Sequence, residues 1–198
     1  MITAQTEDGR KVILYEDGRW EYIQEGESDI SNSQDYDFRK VNWGDTKEQV
    51  RINETAKFSF EEGIDLIYTS HIAEMEVMII YSFESNKLDS AKVLILEKYG
   101  KRDTYLTKFN SLKAVLTKKY GDAIEDQIIW RNNIYKNTPV DHGLALKLGH
   151  VGFFANWETN SMGIFLQLDG KGDVHSFHIY YQAKTKGSVS ETEIMNDL

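Results

Sequence analysis

Stretches in which apolar residues recur at every second position constrain this chain most. In the clearest one, Val77, Ile79 and Tyr81 alternate with Met78 and Ile80. Successive side chains of a β-strand point to opposite faces of the sheet, so this pattern predicts a strand with one buried face. The second set is also apolar, which predicts partial cover on the other face. The pattern therefore predicts a β-sheet built from long hairpins.

Similar reasoning predicts seven strands in the main body of the chain. They are about Asp65–His71, Glu74–Phe83, Ser90–Glu97, Gln127–Arg131, Val151–Glu158, Met162–Leu168 and Val174–Gln182.

Two helices are predicted beside these strands. Thr46 and Gln49 have the spacing of a capping box, which opens a short helix ending near Asn53. A longer helix spans about Asp103–Tyr120, with Asp103 or Thr104 as its cap and Gly121 just beyond its end. Its apolar stripe consists of Leu106, Phe109, Leu112, Val115 and Leu116. A further apolar stretch, Gly143–Leu148, is compatible with a helical turn.

The N-terminus is predicted to be a separate small sheet. Strands at Thr3–Glu7, Lys11–Tyr15 and Arg19–Ile23 are separated by two Asp-Gly dipeptides, which favour tight hairpin turns. We therefore divide the chain into a β-meander (1–23), an acidic polar linker (24–37), an α+β main domain (38–184) and a polar tail (185–198).

The predicted fold class is α+β, an antiparallel sheet covered on one face by helices, with the small N-terminal β-meander in front. Both halves of the main domain follow a helix with strands that end in a long hairpin. This echo of pattern suggests, as a hypothesis, a duplicated helix-plus-three-strand unit.

Composition excludes several classes of function. The chain has 198 residues, a formal net charge of −9 and no cysteine. An acidic surface repels a phosphate backbone, so nucleic acid is not an expected partner. Without cysteine there is no thiol catalysis, disulfide or thiolate metal site. The sequence contains no apolar run of the roughly 18 residues that a membrane-spanning helix needs.

Two short stretches carry a resemblance to known families. Residues 8–22 (DGRKVILYEDGRWEY) resemble a module at the mature N-terminus of exported bacterial proteins, and residues 38–50 (FRKVNWGDTKEQV) resemble the opening of uncharacterised bacterial envelope proteins. The helix-then-sheet layout of about residues 38–182 is similar to the β-lactamase inhibitor protein and to the small lipoprotein of the outer-membrane β-barrel assembly machinery. The resemblance implies an exported binding protein. The lipoproteins usually have Gly-Met before the Thr-Lys-Glu-Gln-Val turn, whereas this chain has Gly44-Asp45.

Motifs for catalysis or cofactors have simpler structural interpretations. Glycines 170 and 172 join two predicted strands, whereas a P-loop opens a helix. His175 and His178 fall on opposite faces of a strand, so they cannot chelate one ion together. Carboxylate pairs such as Glu61 and Glu62 are common in an acidic protein. We therefore predict no catalytic residue, no metal site and no cofactor.

Aromatic side chains are the candidates for binding, because they supply contact area at low conformational cost. The candidate partner-binding residues are Trp20, Tyr22, Trp130, Trp157, Tyr180 and Tyr181. Core packing is the competing interpretation for each of them.

The preferred hypothesis is a non-catalytic module of the bacterial envelope or periplasm that grips a protein partner with the open face of its sheet. This hypothesis expects that an export signal preceded Met1 and was removed; residence in the cytoplasm is the alternative. A binder of small ligands or cell-wall glycans through aromatic stacking is the alternative function. A hydrolase with dispersed carboxylates is a third.

Overall fold

A computed structural model describes residues 2–5, 11–14, 20–22, 36–172 and 174–184, with the side chains of 36–101, 103–172 and 174–184. The chain divides into two compact units, Met1–Tyr36 and Asp37–Leu198. Most of the sequence predicted to be a linker, and the whole predicted tail, lie outside the described residues.

The first unit contains a three-stranded antiparallel sheet in which each strand pairs with the next. Its strands are β1 (Ile2–Gln5), β2 (Lys11–Leu14) and β3 (Trp20–Tyr22). They lie where the two Asp-Gly dipeptides predicted a meander, although both dipeptides fall outside the described residues.

The second unit contains one eight-stranded antiparallel sheet and three α-helices among its described residues. In chain order the elements are α1 (Lys47–Asn53), β4 (Lys57–Glu62), β5 (Asp65–Ile72), β6 (Met75–Glu84), β7 (Lys87–Ile95), α2 (Arg102–Tyr120), β8 (Glu125–Trp130), α3 (His142–Lys147), β9 (Val151–Glu158), β10 (Met162–Lys171) and β11 (Val174–Ala183). A short 3₁₀ turn, Pro139–Asp141, precedes α3. The α+β class and the antiparallel sheet are therefore confirmed.

The strand order is β4-β5-β6-β7-β11-β10-β9-β8. Helix α1 comes before the four strands β4–β7, and helix α2 comes before the four strands β8–β11. The last strands of the two runs, β7 and β11, pair in the middle of the sheet. The sequence prediction of three strands per unit was wrong, because it missed β4. All six residues of β4 are exposed, although Phe58 and Phe60 alternate with Lys57, Ser59 and Glu61 as in a strand.

The core is built from one set of alternating strand residues. In β6, Val77, Ile79 and Tyr81 are fully buried while the residues between them are partly exposed, as the sequence predicted. On α2, Phe109 contacts Phe153 of β9 and Phe177 of β11, with ring centroids 5.8 and 6.4 Å apart. The helix is thus held on the sheet through aromatic side chains that continue the buried set.

Helix α2 departs from its prediction at two points. It begins at Arg102 with Lys101 in the N-cap position, and no side chain caps it, so the prediction of Asp103 or Thr104 as the cap was wrong. Val115 was placed in the apolar stripe but is 62% exposed. The one-residue shift of the start explains the first error, since both candidate caps lie inside the helix.

A charged network lies in the core beneath the end of α1. The Glu54 side chain is 1% exposed and accepts hydrogen bonds from Arg39 Nε at 2.8 Å and Arg39 Nη2 at 3.0 Å. It also accepts the Tyr81 hydroxyl and the Ala56 N–H. Burial alone would raise the pKa of Glu54, but these hydrogen bonds outweigh that effect and lower the pKa below its ordinary value.

We expect Arg39→Ala to lower the free energy of unfolding by about 3–5 kcal/mol, because it leaves a buried carboxylate without its cation. Lys113→Ala, which breaks the half-exposed pair with Asp126, is the matched control and should cost less than about 1 kcal/mol. Urea unfolding measures both.

The same network makes the free energy of unfolding depend on pH. Since the pKa of Glu54 is lowered in the fold, the stabilisation is complete above the pKa of an unfolded glutamate, about 4.3, and is lost as the pH falls through the lower folded value. The difference between wild type and Arg39→Ala should therefore shrink in acid. A difference that is constant with pH would contradict an ionised Glu54.

A second prediction concerns the packing of α3 on β10. A Cβ atom at Gly170 would lie 2.6 Å from the backbone oxygen of Leu146, so α3 would have to move. We expect Gly170→Ala to cost roughly 1–3 kcal/mol in thermal or urea unfolding. At Gly100 no atom lies within 4 Å of the corresponding Cβ position, and Gly100→Ala should be close to neutral.

Candidate functional site

Two rows of paired residues cross all eight strands on the face opposite the core set. From β4 to β8 the first row is Phe60, Ile67, Ile80, Lys92, Tyr180, Phe165, Asn156 and Glu125. The second row is Lys57, Thr69, Met78, Leu94, His178, Gln167, Phe154 and Gln127. We call the surface formed by these two rows the open face.

The apolar side chains of the open face form two groups. Met78, Ile80 and Leu94 on β6 and β7 are partly exposed, and so are Phe154 and Phe165 on β9 and β10. Between the two groups lie Lys92, Tyr180, His178 and Gln167. Partly exposed apolar groups of this kind are a common feature of interaction surfaces.

Three aromatic rings form a line across β9, β10 and β11. The ring centroid of Phe165 lies 6.3 Å from that of Phe154 and 6.2 Å from that of Tyr180, with interplanar angles of 31° in both pairs. Aromatic pairs at this spacing interact favourably through their π-systems, so the line is a set of three rings in mutual contact.

One cation lies between the two apolar groups. The Nζ atom of Lys92 lies 5.8 Å from the centroid of the Tyr180 ring, a cation–π contact. Lys92 is also close enough to influence His178 on the next row. Desolvation by burial lowers the pKa of His178, and the positive charge of Lys92 lowers it further. The negative charge of Asp169 opposes these effects, and the net pKa of His178 is lowered.

Hydrogen bonds orient the polar side chains around the aromatic line. The Tyr180 hydroxyl donates to Gln182 Oε1, and Gln182 Nε2 donates to Asp89 Oδ2 at 2.9 Å. On the neighbouring strand, Gln167 Nε2 donates to Asp169 Oδ2 at 2.7 Å. The amides are therefore held in place by partners within the chain.

A cavity of about 320 Å³ adjoins the aromatic line. Its lining includes Phe165, Asn156 and Gly163 on β9 and β10, and Gln182 on β11. The absence of a side chain at Gly163 leaves this space next to the Phe165 ring. A single large side chain of a binding partner would fit a cavity of this size.

The structure separates the candidate residues predicted from sequence. Tyr180 lies on the open face, whereas Trp157 and Tyr181 are 1% and 7% exposed and belong to the core. Trp157 and Tyr181 therefore cannot present a surface to a partner. Trp130 is half-buried on the core side of β8, with its ring 5.0 Å from that of His142. The side chains of Trp20 and Tyr22 lie outside the described residues.

Sequence analysis missed most of the open face because it searched among Trp and Tyr. Phe154 and Phe165 carry the needed signal, since each directly follows a buried residue, Phe153 or Ile164, and so points the other way. The same parity assigns Met78 to the open face. Lys92 had no local signal, because its importance depends on strands that are far apart in sequence.

The described residues show no arrangement for metal chemistry. No group of three or more His, Cys, Asp or Glu side chains among them is placed to hold an ion. His175 stacks on Tyr105 on the core side, with centroids 4.0 Å apart, whereas His178 lies on the open face. Glu61 is bound by Lys47 and Arg51, both at 2.5 Å.

No helix in the described ranges is long and apolar enough to cross a membrane.

Comparisons of the chain with protein-family models, with curated proteins and with solved structures found no match. The similarity of layout to inhibitor and assembly proteins therefore stays a prediction.

The electrostatic coupling on the open face can be measured directly. We expect Lys92→Met to raise the pKa of His178 toward its ordinary value, because the neighbouring positive charge is removed while the burial remains. A pH titration of the His178 ring signals by NMR measures this shift. Lys119→Met on α2 is the control, and an equal shift in both variants would contradict a local effect of Lys92.

Proposed function

We propose that this chain is a non-catalytic interaction module that binds a protein partner through the open face of its sheet. The observation that carries the proposal is the pair of apolar groups on the open face, Met78, Ile80 and Leu94 on β6 and β7 and Phe154 and Phe165 on β9 and β10, with the Tyr180 ring between them. It spans both halves of the sheet, and its residues lie on strands rather than on loops. Such a surface is rigid before binding, which lowers the entropic cost of association.

The charges of the open face suggest the chemistry of the partner. Lys92 is the central cation. At one edge of the sheet, Glu62 on β4 and Asp65 on β5 are strand partners that place two carboxylates on the side of the open face. At the other edge, Glu125 ends the first row. A partner with an apolar centre, one carboxylate opposite Lys92 and basic residues around it would be complementary. The net charge of −9 would speed the encounter with such a partner.

The helices matter for this proposal because of the face of the sheet that they cover. We propose that α1, α2 and α3 together cover the face opposite the open face, which leaves the open face available. Contacts of Phe109 with Phe153 and Phe177, and the burial of Val50 and Leu146, support this arrangement.

We further propose that the main unit consists of two copies of one helix-plus-four-strand unit. The support is topological: α1 precedes β4–β7, α2 precedes β8–β11, and the last strand of each run lies at the centre. The open face would then be a composite surface to which each copy contributes four strands.

Glycan binding is the second candidate function. The three-ring line of Phe154, Phe165 and Tyr180 has the amides of Asn156, Gln167 and Gln182 beside it, a combination suited to stacking and hydrogen bonding with sugars. The aliphatic side chains of Met78, Ile80 and Leu94 favour a protein, since sugar hydroxyls gain nothing from them.

The bacterial envelope or periplasm is the proposed location. Its support is the resemblance of residues 8–22 and 38–50 to exported and envelope proteins.

Site-specific photo-cross-linking tests the proposed function. Benzoylphenylalanine would replace Met78 on the open face in one variant and Ser111, exposed on α2, in another. Both would be irradiated in an envelope extract and in the presence of purified cell-wall polysaccharide. We expect one protein adduct from position 78 that position 111 does not form.

A competing substitution makes the result specific. Tyr180→Asp in the variant labelled at position 78 should reduce the adduct by at least about tenfold, because it places a charge between the two apolar groups. Adducts of equal yield at both positions, or none at position 78, would contradict the proposal. Retention of the chain by polysaccharide, lost in Tyr180→Asp, would favour the glycan function.

A further inference from the structure

The two edges of the eight-stranded sheet differ in how they are protected. Edge strands expose unpaired backbone groups, and proteins commonly guard them with bulges and charges. On β4 the register shifts between Phe58 and Phe60, and the Arg51 guanidinium lies 4.6 Å from the centroid of the Phe58 ring. Edge strand β4 is thus guarded.

Edge strand β8 has no register shift, and its two charged residues, Glu125 and Asp126, lie at its start. Its six residues pair with β9 in unbroken register, and five of them are exposed. Ile128 and Ile129 are 50% and 44% exposed. Two isoleucines on a regular open edge are costly to leave in water, which suggests that something covers them.

The backbone of β8 is oriented for pairing with another strand. Arg131 N–H donates to His150 O at 2.7 Å, so the pair that these residues form is hydrogen-bonded. Since hydrogen-bonded pairs alternate along an antiparallel ladder, Ile129 and Gln127 also face β9. The N–H and C=O groups of Ile128 and Trp130 then point away from the sheet.

A groove runs beside this edge on the core side. A cavity of about 300 Å³ lies between α2 and β8, and its apolar lining is formed by Leu106, Phe109, Ile128 and Phe153. Ile128 belongs to the set of residues whose backbone points outward. A strand added at β8 would therefore place an alternate side chain next to this groove.

The charges of β8 favour one orientation of a bound segment. The β8 strand begins with the exposed carboxylates of Glu125 and Asp126 and continues into Ile128 and Ile129. An antiparallel segment would match it with apolar residues first and basic residues after them. Asp126 holds one cation already, Lys113 at 2.8 Å, whereas Glu125 accepts only a long hydrogen bond from Gln127 at 3.4 Å.

We propose that β8 binds an extended peptide segment of a partner protein as a ninth, antiparallel strand. An aliphatic side chain of the segment enters the groove beside α2, and the basic residues that follow it meet Glu125 and Asp126. This is strand addition, in which backbone hydrogen bonds supply affinity and pockets for alternate side chains supply specificity. The site shares Glu125 and Gln127 with the end of the open face and lies away from the apolar groups of that face.

The probe is the peptide acetyl-Val-Thr-Ile-Thr-Lys-Arg-amide with an N-terminal spacer and fluorescein, titrated with the full chain and followed by fluorescence anisotropy. In the proposed register its isoleucine pairs with Ile128, and its lysine and arginine pair with Asp126 and Glu125. The same peptide with aspartate in place of isoleucine is the control. We expect saturable binding of the first peptide and at least about tenfold weaker binding of the second.

Two variants locate the site on β8. Ile128→Pro removes an outward N–H without breaking the pairing with β9, and Ile128→Lys places a charge at the groove. Each should weaken binding by at least about tenfold, with the thermal unfolding midpoint recorded to verify folding. Ile64→Lys, at an isoleucine that is 62% exposed in the β4–β5 turn, and Tyr180→Asp on the open face should bind as the wild type does.

Three outcomes would overturn the proposal. One is no saturable binding at millimolar peptide. A second is equal loss of binding in the Ile64 control, which would indicate nonspecific adhesion. The third is a dimer in sedimentation analysis that Ile128→Lys dissociates, which would assign the edge to a second copy of the chain instead. Because Tyr180→Asp is included, failure of the open-face proposal is distinguishable from failure of this one.

Discussion

The pairing of β7 with β11 is the interaction on which the main unit depends. Residues Ser90–Leu94 pair with His178–Gln182, and this ladder alone joins the two runs of four strands within the described sheet. These partners lie almost ninety residues apart, and loop closure makes such contacts entropically expensive to form. On the core side the ladder is reinforced by Phe38, whose ring lies 4.6 Å from that of Tyr181. The core and the open face both form only when this ladder is in place.

The charged network of Glu54 strengthens the same region from the first half. A buried ion pair is a weak source of net stability, because the desolvation of both charges offsets their attraction. Its geometry is nevertheless demanding, since Arg39 binds both carboxylate oxygens and the Tyr81 hydroxyl completes the set. The chain segment before α1 is therefore fixed over β6 in a single arrangement. We infer that the network contributes more to uniqueness of structure than to stability.

Local patterns predicted the elements of this fold better than they predicted its surfaces. Thr46 and Gln49 form the capping box that their spacing indicated, and the alternation in β6 describes its burial correctly. Strand β4 was missed although Phe58 and Phe60 alternate with polar residues, because two apolar residues make a short and weak pattern. The sequence prediction therefore placed three strands in the first half of the main unit, where the structure has four.

The candidate site was harder to predict because it is assembled across strands. Tyr180 was identified, but its neighbours Lys92 and Phe165 lie on strands whose order cannot be read from local sequence. Trp157 was proposed for a surface and lies in the core, since residue type alone does not reveal the face on which a strand residue points. Once the strand pairs are known, register assigns every residue of the open face, including Lys57 and Phe60 on either side of the bulge in β4.

The guarded edge at β4 has a consequence for how copies of this chain behave at high concentration. With eight antiparallel strands, the two outermost strands run in opposite directions, so the β8 edge of one molecule has the polarity to continue the sheet at the β4 edge of the next. Repeated in a row, that contact would not close and would generate a fibre. The bulge between Phe58 and Phe60 and the charges around it interrupt the ladder that such growth requires. The irregular strand β4 thus allows the β8 edge to remain open for pairing without the growth of a fibre.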